Sequence, residues 1–233
     1  FHCRPVVVAL DTPLADCIAR DAARPRSVGA EVITAQVEQF QTALTLLRGD
    51  GFKRVHLITP NTALEHIRIH RVRLQCNLRN LHGPFDIIGD IHGCFDELKL
   101  LMTSLGYRID QYGAHYVVHA PPGRRVIFLG DLVDRGPGIV PVLTLVMDMV
   151  EAGTALCLMG NHESKLLRHL QGRPVRDTHG FLQTRQQLTP TPPAFQHRLK
   201  HFVDNLASHY VLDGGALVVA HAGLKAELHG RES

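Results

Sequence analysis

Four short blocks could do chemistry in this chain: Gly89-Asp90-Ile91-His92-Gly93, Gly130-Asp131-Leu132-Val133-Asp134-Arg135-Gly136, Gly160-Asn161-His162-Glu163 and His221-Ala222-Gly223. They supply carboxylates, an amide, imidazoles and one arginine. That donor set suits two hard-to-borderline divalent ions and a phosphate. Asp90 and His92 stand two apart, so in extended chain both side chains point to one side and can share an ion. Asp131 can bridge two ions, Asn161 offers a neutral amide oxygen, and His221 completes the set. A phosphate ester repels an anionic nucleophile. Two cations roughly 3.5–4 Å apart neutralise it, acidify water and align the attack. Arg135 is expected to hold phosphate oxygens through its planar fork. His162 is placed to protonate the leaving oxygen. Asp134 and Glu163 are expected to orient an imidazole or a guanidinium. One block alone would more often be an ordinary glycine turn; four in this order, each after an apolar run, point to a two-metal phosphoesterase. His179, in Thr178-His179-Gly180, is a candidate substrate contact.

Each block must sit at the end of an element. Apolar runs predict strands at 85–88, 125–129, 155–159 and 216–220, with another near 116–119. Helical periodicity predicts helices over 95–105, 139–152, 164–170 and 195–207, and a loop-rich stretch over 171–193. Residues 210–220 read as a hairpin around Asp213-Gly214-Gly215. Upstream, strands are predicted at 6–10 and 54–59, and helices from Pro13 to about Ala19, over 31–48 and over 62–78. This alternation predicts an α/β domain with a parallel sheet. The expected division is 1–80, a linker at 81–84, and 85–233.

The 233 residues carry a formal net charge of +3, which permits a phosphate-rich partner without demanding one. No apolar run reaches the ~18 residues of a membrane span, and no secretion signal is visible, so a cytoplasmic protein with no membrane partner is expected. The five cysteines are widely spaced without a Cys-x-x-Cys pair and read as free thiols. The chain begins in an apolar strand pattern and ends without a closing element, so it reads as a segment of a larger protein.

Residues 85–223 resemble the calcineurin-like metallophosphoesterases, in particular the phosphoprotein-phosphatase branch. The resemblance implies a β-sandwich flanked by helices. It implies two metals on Asp90, His92, Asp131, Asn161 and His221, most often manganese, with iron, zinc or nickel compatible. It also implies phosphate binding by Arg135 and acid catalysis by His162. That family has a further metal-binding histidine downstream, and no matching block occurs here; His229 lacks the context. The chain departs from the pattern by one ligand, so weak metal binding is expected of it.

Asp11-Thr12-Pro13, Arg20-x-x-x-Arg24-Pro25 and the 81–90 junction resemble the bacterial polynucleotide kinase-phosphatase family. This implies that residues 1–80 are the C-terminal part of a kinase domain whose lid arginines, Arg20 and Arg24, clasp ATP. It also implies a phosphatase acting on 2′ or 3′ ends of RNA, with a repair partner protein. No phosphate-binding loop is present for such a kinase. The alternatives are a serine/threonine protein phosphatase, a dinucleoside polyphosphate hydrolase, or an inactive binding fragment.

Overall fold

The computed structural model describes residues 6–47, 54–62, 65, 67–68 and 73–229. It divides into two compact units, residues 1–72 and 73–233.

In the first unit, β1 (Val6–Leu10) and β2 (Arg54–Ile58) pair in parallel, with Val8 opposite His56. Two helices lie between them in sequence, α1 (Leu14–Ala22) and α2 (Ala30–Leu46). The turn joining them is closed by one carboxylate. Asp21 accepts the Ser27 hydroxyl at 2.6 Å and the Val28 and Gly29 N–H groups at 3.1 Å each. These three bonds hold the Asp21 carboxyl below its ordinary range.

The helix expected over 62–78 falls partly outside the described residues, and 73–80 form turns and a bridge instead. The Leu78 N–H donates to Val211 O at 2.9 Å, and the Val211 N–H donates to Cys76 O at 2.8 Å. Leu78 and Leu81 pack on an apolar cluster of the second unit. The expected boundary at residue 80 therefore moves to 72/73, because the backbone groups of 76–81 find their partners downstream.

The second unit is built on a parallel sheet of three strands: β3 (Phe85–Ile88), β6 (Arg125–Phe128) and β7 (Ala155–Cys157), with β6 central. A central strand is covered on both faces, which explains the unbroken apolar run Val126-Ile127-Phe128, fully buried. Between β3 and β6 lie α3 (Phe95–Ser104) and an antiparallel hairpin, β4 (Arg108–Tyr112) with β5 (His115–His119). Between β6 and β7 lies α4 (Ile139–Glu151). Then follow α5 (Asn161–Leu170), α6 (Phe181–Leu188) and α7 (Pro193–Asp204). A second antiparallel pair, β8 (His209–Leu212) and β9 (Leu217–Ala220), ends the described strands.

Period-two alternation splits the core in two. Val126 and Phe128 face the helices, in one cluster with Leu143, Met147 and Leu199. Ile127 faces the other way, with Tyr210, Leu212 and Val219 of the β8–β9 pair. The sheet thus has helices on one face and a β-layer on the other. This corrects a single parallel sheet and matches the layered arrangement that the resemblance implies. Strand β4 and helix α6 were not anticipated; α6 occupies residues 181–188 of the stretch 171–193 expected to be loop.

Candidate active site

Three blocks follow the C-terminal ends of β3, β6 and β7, where parallel sheets open a crevice for ligands. The fourth, at His221, arrives from the other layer on β9. The packing of β9 against β6 brings it in: the His221 Nδ1–H donates to Leu129 O at 2.9 Å, just beyond β6.

Asp131 is the centre. Its side chain is 5% exposed, and Oδ2 lies 3.5 Å from His221 Nε2, 3.8 Å from His162 Nε2 and 3.9 Å from His92 Nε2. Asp90 Oδ2 lies 3.8 Å from His92 Nε2, and Asn161 Oδ1 lies 3.0 Å from His221 Nε2. The donors fall into two overlapping groups that could each hold a cation: His92, Asp131 and His162, and Asp90, Asp131 and His221. Asp131 belongs to both.

A direct test of fit is the state of His92. Its Nδ1–H donates to Val133 O at 2.8 Å, which fixes the tautomer and leaves the Nε2 lone pair inward. That Nε2 is buried without any hydrogen-bond partner. A buried acceptor without a donor is costly. Here it faces two carboxylates, which cannot donate to it. A divalent ion satisfies all three groups at once, so the residues fit two metals.

Sequence reasoning assigned Glu163 to an imidazole or guanidinium. The structure corrects this. Glu163 is fully buried and accepts three backbone N–H groups: Leu132 at 2.8 Å, Asp131 at 2.6 Å and Gly160 at 3.1 Å. Burial pushes its carboxyl up, while the Leu132 and Asp131 N–H groups oppose that shift. It thereby ties the second block to the third. Gly160 must be glycine, since a Cβ there would lie 2.3 Å from Asp131 Oδ1. Asp134 is fully buried, with Oδ2 2.5 Å from His162 Nδ1.

The backbone here is strained. His92, Asp131, Asp134 and Arg135 have φ of 48, 51, 72 and 66°, a region non-glycine residues seldom adopt. Each costs on the order of 1–3 kcal/mol and persists only where surroundings over-determine it. The left-handed turn leaves the Arg135 side chain exposed beside the buried Asp134. Helix α5 starts at Asn161, three residues earlier than expected, so Asn161 and His162 sit in its first turn.

Sequence reasoning missed Thr184 and Gln187, which hold the second block from α6. Their only signal was the helical spacing of Gly180, Thr184 and Gln187 inside a stretch read as loop. His179 is exposed next to Gly180, whose O accepts the Arg135 N–H at 3.4 Å. Arg20 lies in the last turn of α1 and Arg24 in the turn after it, both exposed.

Among curated proteins, the chain is 40% identical over 153 residues to "Bis(5'-nucleosyl)-tetraphosphatase PrpE [asymmetrical]" of Bacillus velezensis, covering 64% of this chain and 60% of that one. The protein of the same name from Bacillus subtilis is 37% identical over 147 residues, covering 61% and 59%. The chain thus spans about three fifths of the length of these relatives. A yeast protein serine/threonine phosphatase structure aligns with a TM-score of 0.45 at 21% identity, covering 64% of this chain and 42% of that one. The tetraphosphatase relatives overturn the expectation of an RNA-end phosphatase fused to a 5′-kinase. The matched relatives lend no support to a kinase portion, and the matched family model, residues 83–232, does not reach Arg20 or Arg24. Among the described residues no helix is long and apolar enough to cross a membrane. A model described as "Calcineurin-like phosphoesterase" matches residues 83–232, which carry all four blocks, and the chain therefore belongs to the calcineurin-like phosphoesterase family.

Proposed function

We propose that this chain is part of a two-metal dinucleoside polyphosphate hydrolase that splits a bis(5′-nucleosyl) tetraphosphate asymmetrically. The 40% identity to a tetraphosphatase over 153 residues carries the choice of substrate. The donor geometry carries the chemistry. Asp90, His92, Asp131, Asn161 and His221 would hold two divalent ions, manganese by preference. Bound there, the ions supply Lewis acidity and an activated water at neutral pH.

The protein's own residues do the rest. Two carboxylates set against two dications leave net positive charge, which suits a polyphosphate. The exposed Arg135 fork takes non-bridging oxygens of the phosphoryl group under attack. His162 Nδ1–H is held by Asp134, which fixes the direction of the imidazole ring. The opposite Nε2 then gives its proton to the departing phosphate oxygen. Glu163 keeps Asp131, Leu132 and Gly160 in place throughout.

The test is product analysis. With manganese and bis(5′-adenosyl) tetraphosphate, chromatography should find ATP and AMP in equal amounts. Two equivalents of ADP, or turnover of a phosphopeptide but not the tetraphosphate, would overturn the proposal.

A further inference from the structure

We propose that Thr184 is a positioning residue for His162, acting through Asp134; this rests on reading His162 as the leaving-group acid. Thr184 lies on α6 with no exposed surface. Its hydroxyl accepts the Asp134 N–H at 2.9 Å and donates to Asp134 Oδ1. The other oxygen, Oδ2, is the one 2.5 Å from His162 Nδ1. One hydroxyl thus grips the backbone and the carboxylate of the same residue. It stops the carboxylate from turning about its own axis, and so sets the direction of the bond to His162.

Asp134 needs that grip, since its φ of 72° is held against its own preference. The same face of α6 holds the rest of the loop. Gly180 O accepts the Arg135 N–H, Gln187 Oε1 accepts the Ile139 N–H at 2.9 Å, and Gln187 Nε2 donates to Gly136 O at 3.0 Å. Positions 180, 184 and 187 follow helical spacing, so one face addresses residues 134–139. Thr184 is the only one of the three whose side chain reaches the Asp134–His162 pair. In the reaction, the proton leaves His162 Nε2 for the leaving oxygen. The Nδ1–H bond to Asp134 stays intact, and Thr184 fixes its geometry before and after.

The experiment compares T184V, T184S and H162Q on p-nitrophenyl phosphate and phenyl phosphate with manganese. The nitrophenolate departs without a proton, whereas phenolate needs one. T184V should lose roughly 10–100-fold in kcat on phenyl phosphate, the range seen when outer partners of a site are removed, with little change on p-nitrophenyl phosphate or in KM. T184S should restore the rate. Equal loss on both substrates in T184V, alongside a selective loss in H162Q, would overturn the proposal while His162 remains the acid. Equal loss in H162Q would overturn the acid reading itself. A second readout needs no turnover: the His162 Nδ1 proton resonance should lie far downfield in the parent protein, move upfield in T184V and return in T184S. An unmoved resonance would overturn the proposal, and T184A serves for the same measurement should T184V not fold.

Discussion

The Glu163 carboxylate accepts the N–H of Asp131 at 2.6 Å, across 32 residues of sequence. The residue next to the expected acid thus serves the backbone of the expected bridging ligand. A ligand at a strained φ of 51° has its direction set by bonds to its own main chain. The consequences can be measured.

Glu163→Gln should cost about 2–4 kcal/mol, since an amide N–H₂ would face backbone N–H groups and leave buried donors unpaired. Urea unfolding of the metal-free protein checks this. A change within 0.5 kcal/mol, about the level of an inert surface substitution, would show that Glu163 does not hold the blocks together.

Asp131→Ala should abolish manganese binding at both positions, because Asp131 belongs to both donor groups. Activity should fall by more than the ~100-fold typical of outer partners. Titration calorimetry reads the stoichiometry. One retained high-affinity ion would place the shared ligand elsewhere.

Gly180→Ala should displace Arg135. Gly180 has a φ of 89°, and a Cβ would lie 2.5 Å from Arg135 N. Weaker phosphate binding is expected, with KM for the tetraphosphate rising about tenfold, or ~1.4 kcal/mol. Unchanged KM would separate α6 from Arg135.

Asp86 predicts an acid limb of stability. Arg124 donates to both of its oxygens and the Tyr107 hydroxyl donates at 2.6 Å, so its carboxyl is held below the ordinary 3.8. A group with a depressed folded value stabilises fully above its unfolded value and loses that contribution as pH falls through the folded one. Stability should therefore fall as pH drops below about 4. Asp86→Asn should flatten that fall and cost about 2 kcal/mol near neutrality, the range for bonds to a charged group. Urea midpoints from pH 2 to 7 decide; an unaltered acid limb would assign it to other carboxylates.

The chain's own order of residues pointed to the candidate donor set and to metallophosphoesterase chemistry. Metal ligands need particular atoms at the ends of strands, and glycine-flanked Asp, Asn and His after apolar runs announce both locally. Strands β3 and β6 were legible for the same reason. Tertiary structure alone decided how those residues are held. Glu163 reaches Asp131, Thr184 reaches Asp134, and His221 reaches Leu129 O across 32, 50 and 92 residues. Such contacts leave no periodic trace in the sequence. Helix α6 was hidden because its buried face binds backbone groups through Gly180, Thr184 and Gln187 instead of presenting a full apolar stripe. Residues 73–84 joined the second unit because their backbone partners lie beside β8, a fact that no local spacing encodes.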